Sequence, residues 1–155
     1  PFPNAMSEAE YYDPASLAAV VEAYDGEHGN GRVDFLLGHT GRGDARAIRS
    51  SIELAAAKDN VWLEISLIDA VLSVDENGDP VDGTEKMHRP ILEEIKARGL
   101  IDRTIFASDG PQYFGKIRGY LSLMVSSMVA VGYTPEEVQM VLADNFYRCF
   151  QPPGR

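Results

Sequence analysis

The chain has 155 residues, enough for one domain with a real hydrophobic core. Hydrophobic residues make up 45% and charged residues 25%, the balance of an ordinary soluble globular protein. A net charge of −10 argues against nucleic acid or an anionic membrane surface as partner, since both need a basic face.

The single cysteine, Cys149, excludes an internal disulfide framework and suits a reducing compartment, so a cytoplasmic setting is expected. No signal-peptide pattern is visible, and the apolar stretch from Tyr120 to Val131 is too short to span a bilayer. The opening is unusual: Pro1-Phe2-Pro3-Asn4-Ala5 precedes Met6, and residues 1–13 read as an irregular lead-in.

From Pro14 to Tyr24 the chain reads as a helix, with Ser16 as the cap and Leu17, Val20, Val21 and Tyr24 on one face. A glycine-rich loop follows from Gly26 to Gly31. Val33 to Gly38 is a strand, apolar on both faces except at Asp34, as in a buried parallel sheet. Asp44 can cap a helix that runs to Lys58 and buries Ala45, Ile48, Ile52 and Ala55.

Asn60 to Ser66 is a second strand. Val61, Leu63 and Ile65 point one way, while Trp62, Glu64 and Ser66 point the other, toward an interior or a cleft. Residues 69–86 form a long acidic loop insertion. A helix from Arg89 to Arg98 stops at Gly99, and a third strand covers Thr104 to Ser108. An apolar helix spans Gly115 to Val131. The last helix opens at Thr134-Pro135-Glu136-Glu137, with a capping hydroxyl, a proline at the first turn and an acid three residues on.

The order α-β-α-β-α-β-α-α is the grammar of a parallel α/β sheet. Three such strands with crossovers of one hand place their helices on one face and leave the other open. A closed (β/α)8 barrel takes about 250 residues. The chain is therefore expected to be a single domain over residues 1–155 that forms the C-terminal part of a TIM-type barrel, with three parallel strands, flanking helices and an appended terminal helix. An upstream portion or a homo-oligomer partner is expected to cover the open face.

The chemistry gathers at two strand ends. Thr104-Ile105-Phe106-Ala107-Ser108-Asp109-Gly110-Pro111 is a β-branched and aromatic run that breaks at a carboxylate. Val33-Asp34-Phe35-Leu36-Leu37-Gly38-His39-Thr40-Gly41 delivers a histidine in the same way. In α/β folds that end of the strands collects ligands and catalytic groups. By residue type alone, Asp109 is equally a turn-forming aspartate before Gly-Pro, and His39 a satisfied strand-end histidine. Glu64 and Ser66 are candidate substrate contacts or a hydrogen-bonded pair filling the core. Arg42 either binds an anionic substrate or is a solvated loop arginine.

Two other motifs fail. Asp75-x-Asn77-x-Asp79 begins like a calcium loop, but Pro80 and Lys86 stand where glycine and glutamate are required. Gly38, Gly41 and Gly43 lack the lysine or third glycine of a phosphate-binding loop.

In order, FLLGHTG, NVWLEIS, DRTIFASDGP and YTPEEVQMVLADNFYRCF resemble the C-terminal half of the amidohydrolase superfamily, nearest its metal-dependent hydrolases and decarboxylases. The resemblance runs from about Val33 to Phe150. It implies a distorted (β/α)8 barrel with divalent metal, zinc in the first place, at the strand C-termini. By position, Asp109 matches a metal ligand that takes a proton from the attacking water. His39 matches a histidine that contacts the metal-bound water, the substrate or a second metal, and stabilises charge developing on the substrate. Asn145 and Arg148 match residues tying the last helix to the loop behind Asp109.

The His-x-His pair of the first strand and the histidine of the fifth have no counterpart here, since His28 and His88 lack ligand spacing. Residues 1–13 would then fall just after the fifth strand, as in a truncated chain. A hydrolytic metal site needs roughly three protein ligands, and Asp109 and His39 supply two at most. The implied activity is hydrolysis of a small-molecule amide, ester or lactone, or decarboxylation of a small acid, through a metal-activated water. The alternative is a non-catalytic barrel fragment or assembly module that needs an upstream half or a partner chain.

Overall fold

The computed structural model describes residues 13–27, 29–41, 45–66, 88–108 and 116–150. Its centre is a parallel three-stranded sheet in sequential order: β1 (Phe35–Leu37), β2 (Val61–Ile65) and β3 (Thr104–Phe106). Phe35 lies level with Val61, and Leu63 with Thr104. This register puts Leu37, Val61, Leu63, Ile65 and Phe106 on one face, and Leu36, Trp62, Glu64 and Ile105 on the other.

Helices pack on the first face. Helix α1 (Ala18–Ala23) follows a 3-10 turn at Pro14–Leu17. The turn is capped by Asp13, whose carboxylate accepts the N–H of Ala15, and not by Ser16 as expected. Asp13 wins because Pro14 then stands at the first helical position, where its missing N–H costs nothing. Of the expected α1 stripe only Val21 is buried, while Leu17, Val20 and Tyr24 stay exposed.

Helix α2 (Ala45–Ala57) buries Ile48, Ile52 and Ala55 as its periodicity requires. Helix α3 (His88–Ala97) buries Ile91, Leu92 and Ile95, and Gly99 ends it with φ +69°, a left-handed conformation suited to glycine. Helix α4 (Lys116–Ala130) contributes Tyr120, Met124 and Met128 at i, i+4 and i+8, and Tyr120 stacks on Phe106 of β3. The methionine and aliphatic run is core, as expected.

The capping box at the last helix is present in full: Glu137 N–H donates to the Thr134 hydroxyl, and Thr134 N–H donates to the Glu137 carboxylate. That helix is not uniform. α5 (Pro135–Gln139) passes through a π turn at Met140–Asp144 into α6 (Asn145–Phe150). Asn145 is fully buried, and its amide donates to the carbonyls of Ile101 and Thr104 at 2.7 and 2.8 Å. The tie thus runs to the entrance of β3, whereas a tie to the loop behind Asp109 was expected. The π turn brings Asn145 against the 3-10 turn Ile101–Arg103 that feeds the strand.

The second face of the sheet is not left open at its centre. Trp62 and Ile105 are buried, and the Arg148 guanidinium lies 5.8 Å from the Trp62 ring centroid. The terminal helix reaches across to this face, which a count of crossover helices does not foresee. The acidic loop insertion at 69–86 lies outside the described residues. No helix among those described is long and apolar enough to cross a membrane.

Candidate functional site

The chain leaves β1 through an unusual turn, Gly38–Gly41. His39 (φ 60°, ψ 5°) and Thr40 (φ 35°, ψ 52°) both have positive φ, which non-glycine residues adopt at a cost of about 1–3 kcal/mol each. Two consecutive strained residues persist only where their surroundings hold them. Here the adjacent strand end does so.

Glu64, from β2, accepts the main-chain N–H of His39 on Oε2 at 2.6 Å. The Thr40 hydroxyl donates to the Glu64 carbonyl at 2.7 Å. Ser66, just past β2, meets Nδ1 of the His39 ring at 2.6 Å. Nδ1 also lies 3.8 Å from Glu64 Oε2. Thr40 and Ser66 are buried, at 2% and 1% exposure. The His39 side chain keeps 41% exposure and that of Glu64 only 12%. A buried polar clamp therefore presents a half-exposed imidazole.

The clamp sits at the carboxyl ends of β1 and β2. β3 ends at the same level, where Ala107 N–H donates to the Ile65 carbonyl at 3.4 Å and Ser108 follows. Three strand ends share one rim, the position where α/β folds place ligands. The structure thus brings together His39, Glu64 and Ser66 of the residues singled out in the sequence. Arg42 and Asp109 lie outside the described residues.

Sequence reasoning missed Thr40, whose only signal was its place beside His39. It also missed Asn60, fully buried at the opposite end of β2. The Asn60 amide donates to the carbonyls of Tyr24 and Val33 at 3.2 and 3.0 Å, with Val21 O at 3.3 Å, and so binds α1 to the sheet.

Among the described residues no group of three His, Cys, Asp or Glu side chains is placed to hold a metal ion. His39 is the described residue best placed as a ligand, since its ring is anchored through Nδ1 and projects from the rim. Glu64 Oε2 is engaged by the His39 N–H, and Oε1 is buried without a hydrogen-bond partner. These residues do not by themselves compose a metal site.

A groove of about 370 Å³ lies at the other end of the strands, lined by Asp25, Glu27, Arg32, Ala57, Lys58 and Asp59. Its cations are already paired, Arg32 with Asp34 and Asp59, and Lys58 with Glu22 and Asp25. It is a surface ion-pair network, and the rim at His39 is the better candidate.

No curated protein and no solved structure matches the chain. The family model described as Amidohydrolase matches residues 2–150, nearly the whole sequence. With a parallel α/β sheet and a histidine held on the carboxyl rim of its strands, the chain belongs to the amidohydrolase family.

Proposed function

We propose that the chain carries part of a hydrolase active site for a small-molecule amide, ester or lactone, or for decarboxylation of a small acid. The observation that carries this reading is the clamp on His39. Two strained residues are held in place by buried partners on the neighbouring strand, and the result is a fixed imidazole facing outward. Strain of this kind collects at working sites. Family membership supplies the reaction class.

In this proposal His39 acts on the reacting group, and Asp109, in the segment that continues β3, accepts a proton from the attacking water. Arg42 is assigned to an anionic part of the substrate. Glu64 and Ser66, first read as substrate contacts, are engaged with His39, and their effect on substrate runs through its ring. The resemblance also brings a divalent metal, zinc in the first place, to which the described residues contribute His39 alone.

The same reading makes the chain the last part of a (β/α)8 barrel, with an upstream portion or a second copy completing it. The exposed side chains of Leu17, Val20, Tyr24 and Val33 support a covering surface beside α1. A reducing, cytoplasmic setting belongs to the proposal as well.

The test is a panel of amides, esters, lactones and small carboxylic acids, offered to the full chain with and without added zinc. Turnover that falls at least a hundredfold in both His39→Gln and Asp109→Asn, with unchanged circular dichroism, is the expected result. Turnover indifferent to both substitutions would exclude this site.

A further inference from the structure

We infer that the His39 ring carries its proton on Nδ1 and donates it to Ser66, leaving Nε2 as a bare lone pair at the rim. Glu64 and Ser66 are then positioning residues that select this tautomer. What the lone pair does chemically rests on the hydrolase reading above; the tautomer itself does not.

The argument is one of counting hydrogens. A neutral imidazole has one N–H, and a serine hydroxyl has one O–H. The 2.6 Å contact between Nδ1 and Ser66 Oγ takes one of them. Suppose first that Ser66 donates. The Nδ1 lone pair then stands 3.8 Å from the Glu64 Oε2 oxygen, with two electron-rich atoms facing each other at low exposure. Glu64 Oε1, buried and without a hydrogen-bond partner, gains no hydrogen from Ser66 either.

Suppose instead that Nδ1–H donates. The positive edge of the ring now faces the carboxylate, which favours it. The Ser66 hydrogen is released, and the acceptor that lacks one belongs to Glu64, two residues earlier on the same side of the extended chain. One arrangement leaves two conflicts in a buried cluster, and the other removes the first and offers a donor for the second. Buried polar groups are paired in native proteins, so the second arrangement prevails.

Nε2 has no hydrogen-bond partner among the described residues, and the side chain is 41% exposed. An unprotonated Nε2 is an acceptor. It takes a hydrogen bond from a water or an acidic substrate hydrogen, or donates its lone pair to a cation. In this state it cannot donate a hydrogen bond to an oxyanion. A histidine whose other nitrogen is fixed by a second residue is also the form that imidazole ligands take.

Nitrogen-15 NMR of the histidine-labelled full chain, without added metal, reads this directly. Spectra are taken near pH 8, above the ordinary imidazole range of about 6.5. His39 is assigned by the signals that vanish in His39→Asn. Expected are a protonated-type shift for Nδ1 and an unprotonated-type shift for Nε2. Ser66→Ala should move both signals toward the opposite tautomer, Glu64→Gln should move them part of the way, and Ser66→Thr should restore the wild-type pattern. A protonated Nε2 in the wild-type chain overturns the inference, as does a Ser66→Ala spectrum identical to wild type in a folded chain. Because no turnover is measured, absence of hydrolase activity would defeat the functional proposal and leave the tautomer standing.

Discussion

The main-chain N–H of His39 and the Oε2 atom of Glu64 meet at 2.6 Å across 25 residues of sequence. The bond fastens the turn beyond β1 to the end of β2, and the low exposure of Glu64 keeps water from replacing it. Glu64→Ala should therefore destabilise the chain by about 2 kcal/mol, the cost of leaving a part-buried donor without its acceptor. Glu64→Gln retains an acceptor oxygen and should recover most of that loss. Urea denaturation checks both, and a change under about 0.5 kcal/mol in the alanine variant would show that the bond holds nothing.

The backbone at His39 offers a separate test. At φ 60° any residue with a Cβ is strained, and glycine is not. His39→Ala and His39→Gly both remove the imidazole, so the difference between them isolates the backbone. The glycine variant should be the more stable by about 0.5–1 kcal/mol despite its more flexible unfolded chain. Equal stability, or a more stable alanine variant, would mean that the turn is not left-handed in solution.

Asn145 makes a third prediction. Its buried amide serves two carbonyls, those of Ile101 and Thr104, at the entrance of β3. Asn145→Ala leaves both acceptors unpaired and should cost about 3 kcal/mol in thermal or urea denaturation, far above an average surface change. The Arg148 guanidinium, which donates to Asn145 Oδ1 at 3.3 Å and to the Asp102 carbonyl at 3.2 Å, should lose order in the same variant.

A pH dependence is expected at the start of the last helix. The Lys96 ammonium, which donates to Glu137 at 2.7 Å, and the Thr134 N–H together hold the Glu137 carboxyl below the usual carboxylate range. Its folded pKa is thus lower than its unfolded one. The stabilisation is complete above the ordinary carboxylate value of about 4.3 and is lost as pH falls through the lower folded value. Glu137→Gln keeps the capping geometry and removes the charge, so the two proteins should converge at acid pH. At neutral pH the variant should be weaker by no more than about 1 kcal/mol, because the pair is partly solvated. Parallel stability curves across that acid range would contradict the assignment.

Much of this arrangement could be read from residue patterns. Val61 to Ser66 alternates so plainly that the inward positions of Glu64 and Ser66 followed from period two alone. Thr134-Pro135-Glu136-Glu137 spelled out its own cap. The turn at His39 was harder. Its flanking glycines, Gly38 and Gly41, are where positive φ is expected, yet the strain falls on His39 and Thr40 between them. No local propensity favours that choice. Tertiary bonds from Glu64 and Ser66 impose it, and bonds between residues 25 and 27 positions apart leave no mark on a short window of sequence. The α1 stripe failed for the opposite reason: helical periodicity shows which face can be buried, not whether anything lies against it.

The π turn at Met140–Asp144 has a consequence for how the terminal helix can change. A π turn is an α-helix carrying one surplus residue, and each residue advances the helix by about 100°. Removing any one residue between 140 and 144 would let the helix relax to regular winding and rotate everything beyond it by that angle. Asn145 would swing off the Ile101 and Thr104 carbonyls, and Arg148 off the Trp62 ring. The phase of the final helix is therefore set by a length, not by a side chain. Here a single-codon deletion would do more harm than most substitutions, although no residue in the segment looks indispensable.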